Sequence, residues 1–217
     1  MQERTEDMRE KKHNSRRISA VRILAAAAAA ACLLLAGPGT MEARAWAYTE
    51  KVTAEELMLP ALKKSGSAEL IYRQLKLALQ YKQLDEGGIN RLCLNAATRV
   101  SGEVMTKLYQ EGYLSAYSWK YWTGGTPTPA DMYPVFNAAA YLNYNADLQE
   151  AVGTDPNALL AHYLACGMAE GRKASDAFDV QVYRQKNPDL QAAYGNDLAG
   201  YVRHYMLFGR FEGRTVR

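Results

Sequence analysis

The sequence predicts an all-α chain in which a small helical bundle precedes two tandem three-helix repeats of 42 residues. Residues 136–172 and 178–214 align without a gap at an offset of 42, with 15 identities in 37 positions. Self-similarity at a fixed period is the mark of a repeat architecture. Helix caps and glycines punctuate both copies at the same places, and the apolar residues between them recur at helical rather than alternating spacing.

Taken in order, the first 22 residues carry Arg4, Arg9, Lys11, Lys12, Arg16, Arg17 and Arg22, and 14 uncharged residues follow from Ile23 to Ala36. Small-residue sites stand at Ala43-Arg44-Ala45 and Ala45-Trp46-Ala47. This is the layout of a secretory signal peptide over residues 1–47, with a mature chain starting at Tyr48. Fourteen residues span only ~21 Å as a helix against a ~30 Å hydrocarbon core, so membrane contact is expected only through this segment if it stays uncleaved. The expected location is secreted or cell-surface. Eight of the 26 basic and five of the 23 acidic residues lie in the segment, leaving 18 of each in a neutral mature chain. The positive footprint that nucleic acid requires is absent, so no nucleic-acid partner is expected.

Residues 48–122 read as the helical bundle. Thr53-Ala54-Glu55-Glu56 opens a helix as a capping box and Pro60 breaks it. Ser67 caps the next helix, whose apolar face runs through Leu70, Ile71, Leu75, Ala78, Leu79 and Leu84 to a stop at Gly87-Gly88. A further helix is expected from Ile89 to about Val100, then one from the Ser101-Gly102 break to Gly112. Tyr117, Trp119, Tyr121 and Trp122 then crowd one short helix, with Tyr117 and Tyr121 on one face and Trp119 and Trp122 on another. One neighbour cannot bury both faces. One face is expected to pack on the bundle or the first repeat, as the N-terminal cap of an array too short to be stable alone; otherwise the four form a platform for sugar rings or a protein. Gly124, Gly125, Pro127 and Pro129 mark residues 123–132 as a linker.

Repeat 1 covers residues 133–174 and repeat 2 covers 175–217. In each, a large apolar residue precedes a cap (Phe136-Asn137, Phe178-Asp179) and meets a tyrosine (Tyr141, Tyr183) at the fourth helical position, the arrangement of a hydrophobic staple. Helices should begin at Ala138 and Val180. Asn187-Pro188-Asp189 starts a second helix in repeat 2, Gly153 and Gly195 end that helix in each copy, and Asp155-Pro156 opens a third that runs to Gly167, with Gly209 in the same place. In that helix Leu159, Tyr163 and Cys166 fall on one face, matched by Tyr201, Tyr205 and Phe208, which predicts a buried, inert Cys166. The shared polar set is Asp147, His162, Glu170 and Arg172, with Asp189, His204, Glu212 and Arg214 in the second copy. These residues are expected to tie each Gly-x-x-Glu-Gly-Arg tail back onto its own helices; the other reading is a ligand-contacting surface repeated once per unit.

The pattern Phe136-Asn137, Tyr141, Asn145-Ala146-Asp147-Leu148, Gly153, His162-Tyr163, Gly167 and Glu170-Gly171-Arg172 resembles a short α-helical repeat found in tandem in bacterial secreted and surface proteins. The resemblance covers residues 133–217. It implies an exported setting and names no particular ligand.

No catalytic, cofactor or metal set is read from the sequence; Asn143, Asn145 and Asp147 have the spacing of a calcium loop but lack its glycine and later glutamate. Cys93, among Leu92, Leu94 and Ala96, is expected to be a second buried free thiol. The expected function is a non-enzymatic exported module that binds cell-wall glycan or a surface protein. The alternative is an exported hydrolase acting on wall material through Cys93 or a carboxylate such as Glu103. Mass spectrometry of the exported protein should find Tyr48 at its N-terminus, and peptides from before Met41 would contradict cleavage.

Overall fold

A computed structural model describes residues 67–94 and 100–216. The expected signal peptide, the Thr53 capping box, the Pro60 break and the stretch up to Val100 lie wholly or partly outside the described residues. Every regular element among the described residues is helical, as the sequence predicts for an all-α chain. The chain divides into two compact units between Leu84 and Asp85.

In the first unit, helix α1 (Ala68–Gln80) buries Ile71, Leu75 and Ala78, while Leu70 is exposed. Gly87-Gly88 do not end it. The helix closes at Gln80, and Lys82 turns the chain with φ 54°.

The second unit begins with helix α2 (Glu86–Leu94), so the two glycines open a helix instead of closing one. Asp85 Oδ1 accepts from the Gly88 amide at 2.7 Å, an N-terminal cap that the sequence reading overlooked. Gly87 is required by contact: a Cβ there would press on the Phe211 side chain at 2.8 Å. Helix α3 (Gly102–Gln110) is capped by Ser101 and closed by Gly112 at φ 80°. Helix α4 (Ala116–Thr123) is capped by Ser115 and ends at Gly124 in the left-handed conformation.

Residues 123–132 are not a loose tether. Asp131 accepts from the Thr128 amide and hydroxyl at 2.7 and 2.8 Å and pairs with Lys120 of α4 at 2.6 Å. Met132 is fully buried beside Val135 in the core. Burial alone would raise the Asp131 carboxyl; the Lys120 and Thr128 hydrogen bonds outweigh it and hold it below the usual carboxylate range.

Helices α5 (Ala138–Tyr144) and α8 (Val180–Lys186) begin where the staple predicts, with Asn137 and Asp179 accepting amide hydrogen bonds. Phe136 meets Tyr141 at 5.6 Å between ring centres and Phe178 meets Tyr183 at 5.4 Å. Short second helices follow, α6 (Asp147–Ala151) and α9 (Gln191–Tyr194), the latter led in by a 3-10 turn at Pro188–Leu190. The third helices are α7 (Pro156–His162) and α10 (Leu198–His204). Each runs on into a π-turn, Tyr163–Gly167 or Tyr205–Gly209, that the sequence did not disclose.

The core joins Tyr117, Met132 and Val135 to Phe136, Tyr141, Tyr163, Phe178, Tyr183 and Tyr201. Gly167 and Gly209 hold its aromatic centre open, because a Cβ at either would collide with the hydroxyl of Tyr141 or Tyr183. Both rings are fully buried and cannot swing aside. Gly209→Ala should therefore lower the unfolding free energy by about 1–3 kcal/mol, the cost of overpacking, measured as a drop in the urea midpoint at unchanged m-value.

Candidate functional site

The polar residues shared by the two copies make the same bonds twice. Asn145 Nδ2 donates to Tyr141 O at 2.8 Å and Lys173 O at 2.9 Å, while Asn187 Nδ2 donates to Tyr183 O at 2.8 Å and Thr215 O at 3.0 Å. Arg172 reaches Glu170 at 2.5 Å and Asp147 at 2.8 Å; Arg214 reaches Glu212 and Asp189 at the same distances. Both guanidiniums are held above the ordinary arginine value, first by the hydrogen bond to the glutamate of their own tail. These pairs are partly exposed, so each contributes modestly; their effect is to fix where the tail returns across the preceding helices.

Tyr141 Oη lies 2.9 Å from His162 Nδ1, and Tyr183 Oη lies 2.9 Å from His204 Nδ1. Burial pushes the Tyr141 phenol up to about 12 and raises Tyr183 as well, so both stay protonated. Burial lowers His204, which keeps its ring neutral at ordinary pH. Each imidazole shares its Nδ1 with the hydroxyl of a core tyrosine, which ties that side of the ring to the fold.

The thiols differ from expectation in one case. Cys93 is half-buried, 3.7 Å from Met105 Sδ, and burial pushes it up to about 12, the reverse of an activated nucleophile. Cys166 is exposed, which corrects the reading of a core slot shared with Phe208. The Phe208 ring is long enough to lie against His204, and α2 packs on its π-turn; a thiol is too short to make the same reach. Both cysteines are free. Glu103 pairs with Lys107 on the exposed side of α3. Among the described residues no group of three or more histidines, cysteines or carboxylates could hold a metal, and no helix is long and apolar enough to cross a membrane.

The four aromatics of α4 are divided among different contacts. Tyr117 is 6% exposed within the core. Trp119 stacks on Tyr109 at 4.4 Å and donates to Thr106 Oγ1. Trp122 donates to Asn90 Oδ1 at 2.8 Å, and Tyr121, at 43% exposure, stands edge-on to it. The helix satisfies its two aromatic faces with three partners, α2, α3 and the core, a division that helix periodicity could not reveal.

Sequence reasoning also missed a polar cluster. Glu86 accepts from Ser115 Oγ, Ser115 N, Ser118 Oγ and Arg210 Nη2 at 2.5 to 2.9 Å. Fully buried Asn90 donates to Ser118 Oγ and to Leu207 O at 2.7 Å. Its members stand far apart in the chain, up to 124 residues, and no local motif marks them. The side-chain oxygens and nitrogen of Glu86, Ser118 and Asn90 are matched, Arg210 Nε is buried without a hydrogen-bond partner, and the cluster fastens α2 and α4 to the second π-turn.

An open groove of about 570 Å³ runs along α5. Pro129, Ala130, Tyr133, Ala138, Leu142 and Pro156 line it, with Phe136 behind. Tyr133 is 69% exposed at its rim. Its polar side chains are Thr154, Asn137 and the Tyr133 phenol, and the Asn137 Oδ1 already accepts from the Ala140 amide. Such a surface offers apolar contact and few converging donors.

A histidine whose folded value is depressed binds fewer protons than its unfolded form below pH ~6.5, so its contribution is whole above that pH and is lost as the pH falls. The melting temperature should fall between pH 7.5 and 5, and fall less in His204→Gln, as scanning calorimetry would read. Comparison with family models, with curated proteins and with solved structures finds no match to this chain, so its own geometry carries the functional reading.

Proposed function

We propose that the chain is an exported, non-enzymatic interaction module, built as two units of one helical repeat (residues 133–174 and 175–217) behind an N-terminal helical segment. The groove along α5 is its contact surface. One observation carries this reading: the polar side chains shared by the two copies are engaged with one another, while an apolar groove beside an exposed tyrosine is left open. The raised Cys93 thiol and the Lys107-paired Glu103 speak against the hydrolase alternative.

Of the two partners expected from sequence, a surface protein suits the groove better than wall glycan. Sugar recognition needs an aromatic face with several polar groups converging beside it, whereas this lining is mostly alanine, proline and leucine. The α4 aromatics that would have served glycan are spent on packing.

Leu142 is only partly buried and sits in the groove, so Leu142→Arg should leave the fold intact and place an unpaired charge on the contact surface. Retention of the exported protein on cells should drop at least tenfold in this variant, read by fractionation and immunoblotting. Retention unchanged by Leu142→Arg, but abolished by stripping the wall glycan, would reverse the choice of partner.

A further inference from the structure

We infer that the groove is an acceptor seat for the C-terminal turn of another copy of the same repeat, carried by a second polypeptide. This names the partner of the surface proposed above and rests on that reading.

The argument comes from the equivalent surface 42 residues on. There the helical turn Met168–Glu170 packs against α10, and Gly171 comes so close that a Cβ would meet Leu198 at 2.6 Å and Gln181 at 2.8 Å, with Val180 at 3.7 Å. Gly171 has φ 70°, the left-handed conformation that lets the chain turn away after contact. Met168, at the head of this turn, is 7% exposed. The seat is thus made by Val180, Gln181 and Leu198, and its occupant is an apolar helical turn closed by glycine.

Shifting the seat back by 42 gives Ala138, Ala139 and Pro156, and all three line the open groove. Shifting the occupant back gives Thr126, Pro127, Thr128 and Pro129. Proline donates no amide hydrogen bond and pushes the residue before it out of the helical region, so Thr126-Pro127-Thr128-Pro129 cannot reproduce the turn. Residues 125–128 are without regular structure, and only Pro129 and Ala130 reach the groove wall. The groove is the volume that a preceding repeat's turn would fill.

A second copy of this chain does not fit the part, because its own final turn is engaged. Phe211 lies against Gly87 of α2, and Arg210 binds Glu86 and Ser115. The fitting partner is a chain whose last repeat ends in an uncovered turn of the Met-x-Glu-Gly-Arg kind.

The test titrates the isotope-labelled mature chain with a lactam-bridged peptide copying Tyr163–Ala174, its helicity checked by circular dichroism. Saturable amide shifts should appear at Ala138, Ala139 and Leu142, at least tenfold weaker for a Met168→Asp peptide. They should be equally weakened in the Leu142→Arg protein and in Ala139→Arg, an exposed position where folding is safe. No saturable shift from a helical peptide, or equal shifts from the Met168→Asp peptide, overturns the inference. So does self-association of the unaltered chain that Ala139→Arg abolishes, which would give the seat to a second copy. Loss of cell retention in Leu142→Arg without peptide binding rejects this partner and leaves the interaction module standing.

Discussion

The fold depends on a contact in which a tyrosine hydroxyl is held between a histidine and a helix glycine. Tyr141 and Tyr183 cross the core to reach Gly167 and Gly209, and their hydroxyls bond to His162 and His204. Each phenol is too polar to be buried unpartnered and too long to fit over any residue with a Cβ. Histidine, the following core tyrosine and glycine therefore recur as one set, and the π-turn that widens the helix lies between them. The Phe136 and Phe178 rings complete the pocket at 5.3 and 4.7 Å from Tyr163 and Tyr205. Tilted and stacked aromatic pairs of this kind add about 0.5–1.5 kcal/mol each beyond the area they bury.

The second constraint is what covers the end of the last copy. A helical unit that cannot bury its apolar face alone needs cover at its end. In this chain α2 and α4 pack on the Tyr205–Gly209 turn, and the Glu86 cluster locks them there. The helices that precede the repeated region pack against it. Their site of action differs from the expected one: α2 closes the second copy, and Tyr117 alone of the α4 aromatics joins the core that holds Phe136. Gly87 decides this, since only glycine lets the backbone of α2 come up against Phe211.

Local signals in the sequence were legible, and long-range ones were not. Helix starts at Ala138, Val180 and Pro156 follow from side chains one to three residues away, and the structure places them there. The internal repeat exposed which polar residues belong together, because a bond made twice leaves its trace twice. Gly87-Gly88 misled for the opposite reason: paired glycines usually stop a helix, but here one is needed by a residue 124 positions away and the cap that starts the helix is Asp85. Cys166 misled because equivalence by offset assumes equivalent neighbours, and α2 lies over the second π-turn. The groove was unreadable in advance, since it consists of a turn that the sequence before the first copy fails to supply.

The two ends of the repeated region are therefore unlike for reasons confined to a few residues. Glycine at position 87 permits close cover at one end, and prolines at 127 and 129 forbid it at the other. An uncovered apolar end is an aggregation hazard in proportion to its area. Where the second copy presents Val180, Gln181, Leu198 and Arg184, the first presents Ala138, Ala139, Pro156 and Leu142. Alanine and proline keep the exposed apolar area small, and Asn137 is spent on its own helix cap. An end destined for permanent cover would gain from larger side chains, and one destined for solvent alone would gain from charge. Small apolar residues around a preformed hollow satisfy neither case fully, and that compromise suits a surface that is covered only when its partner is present.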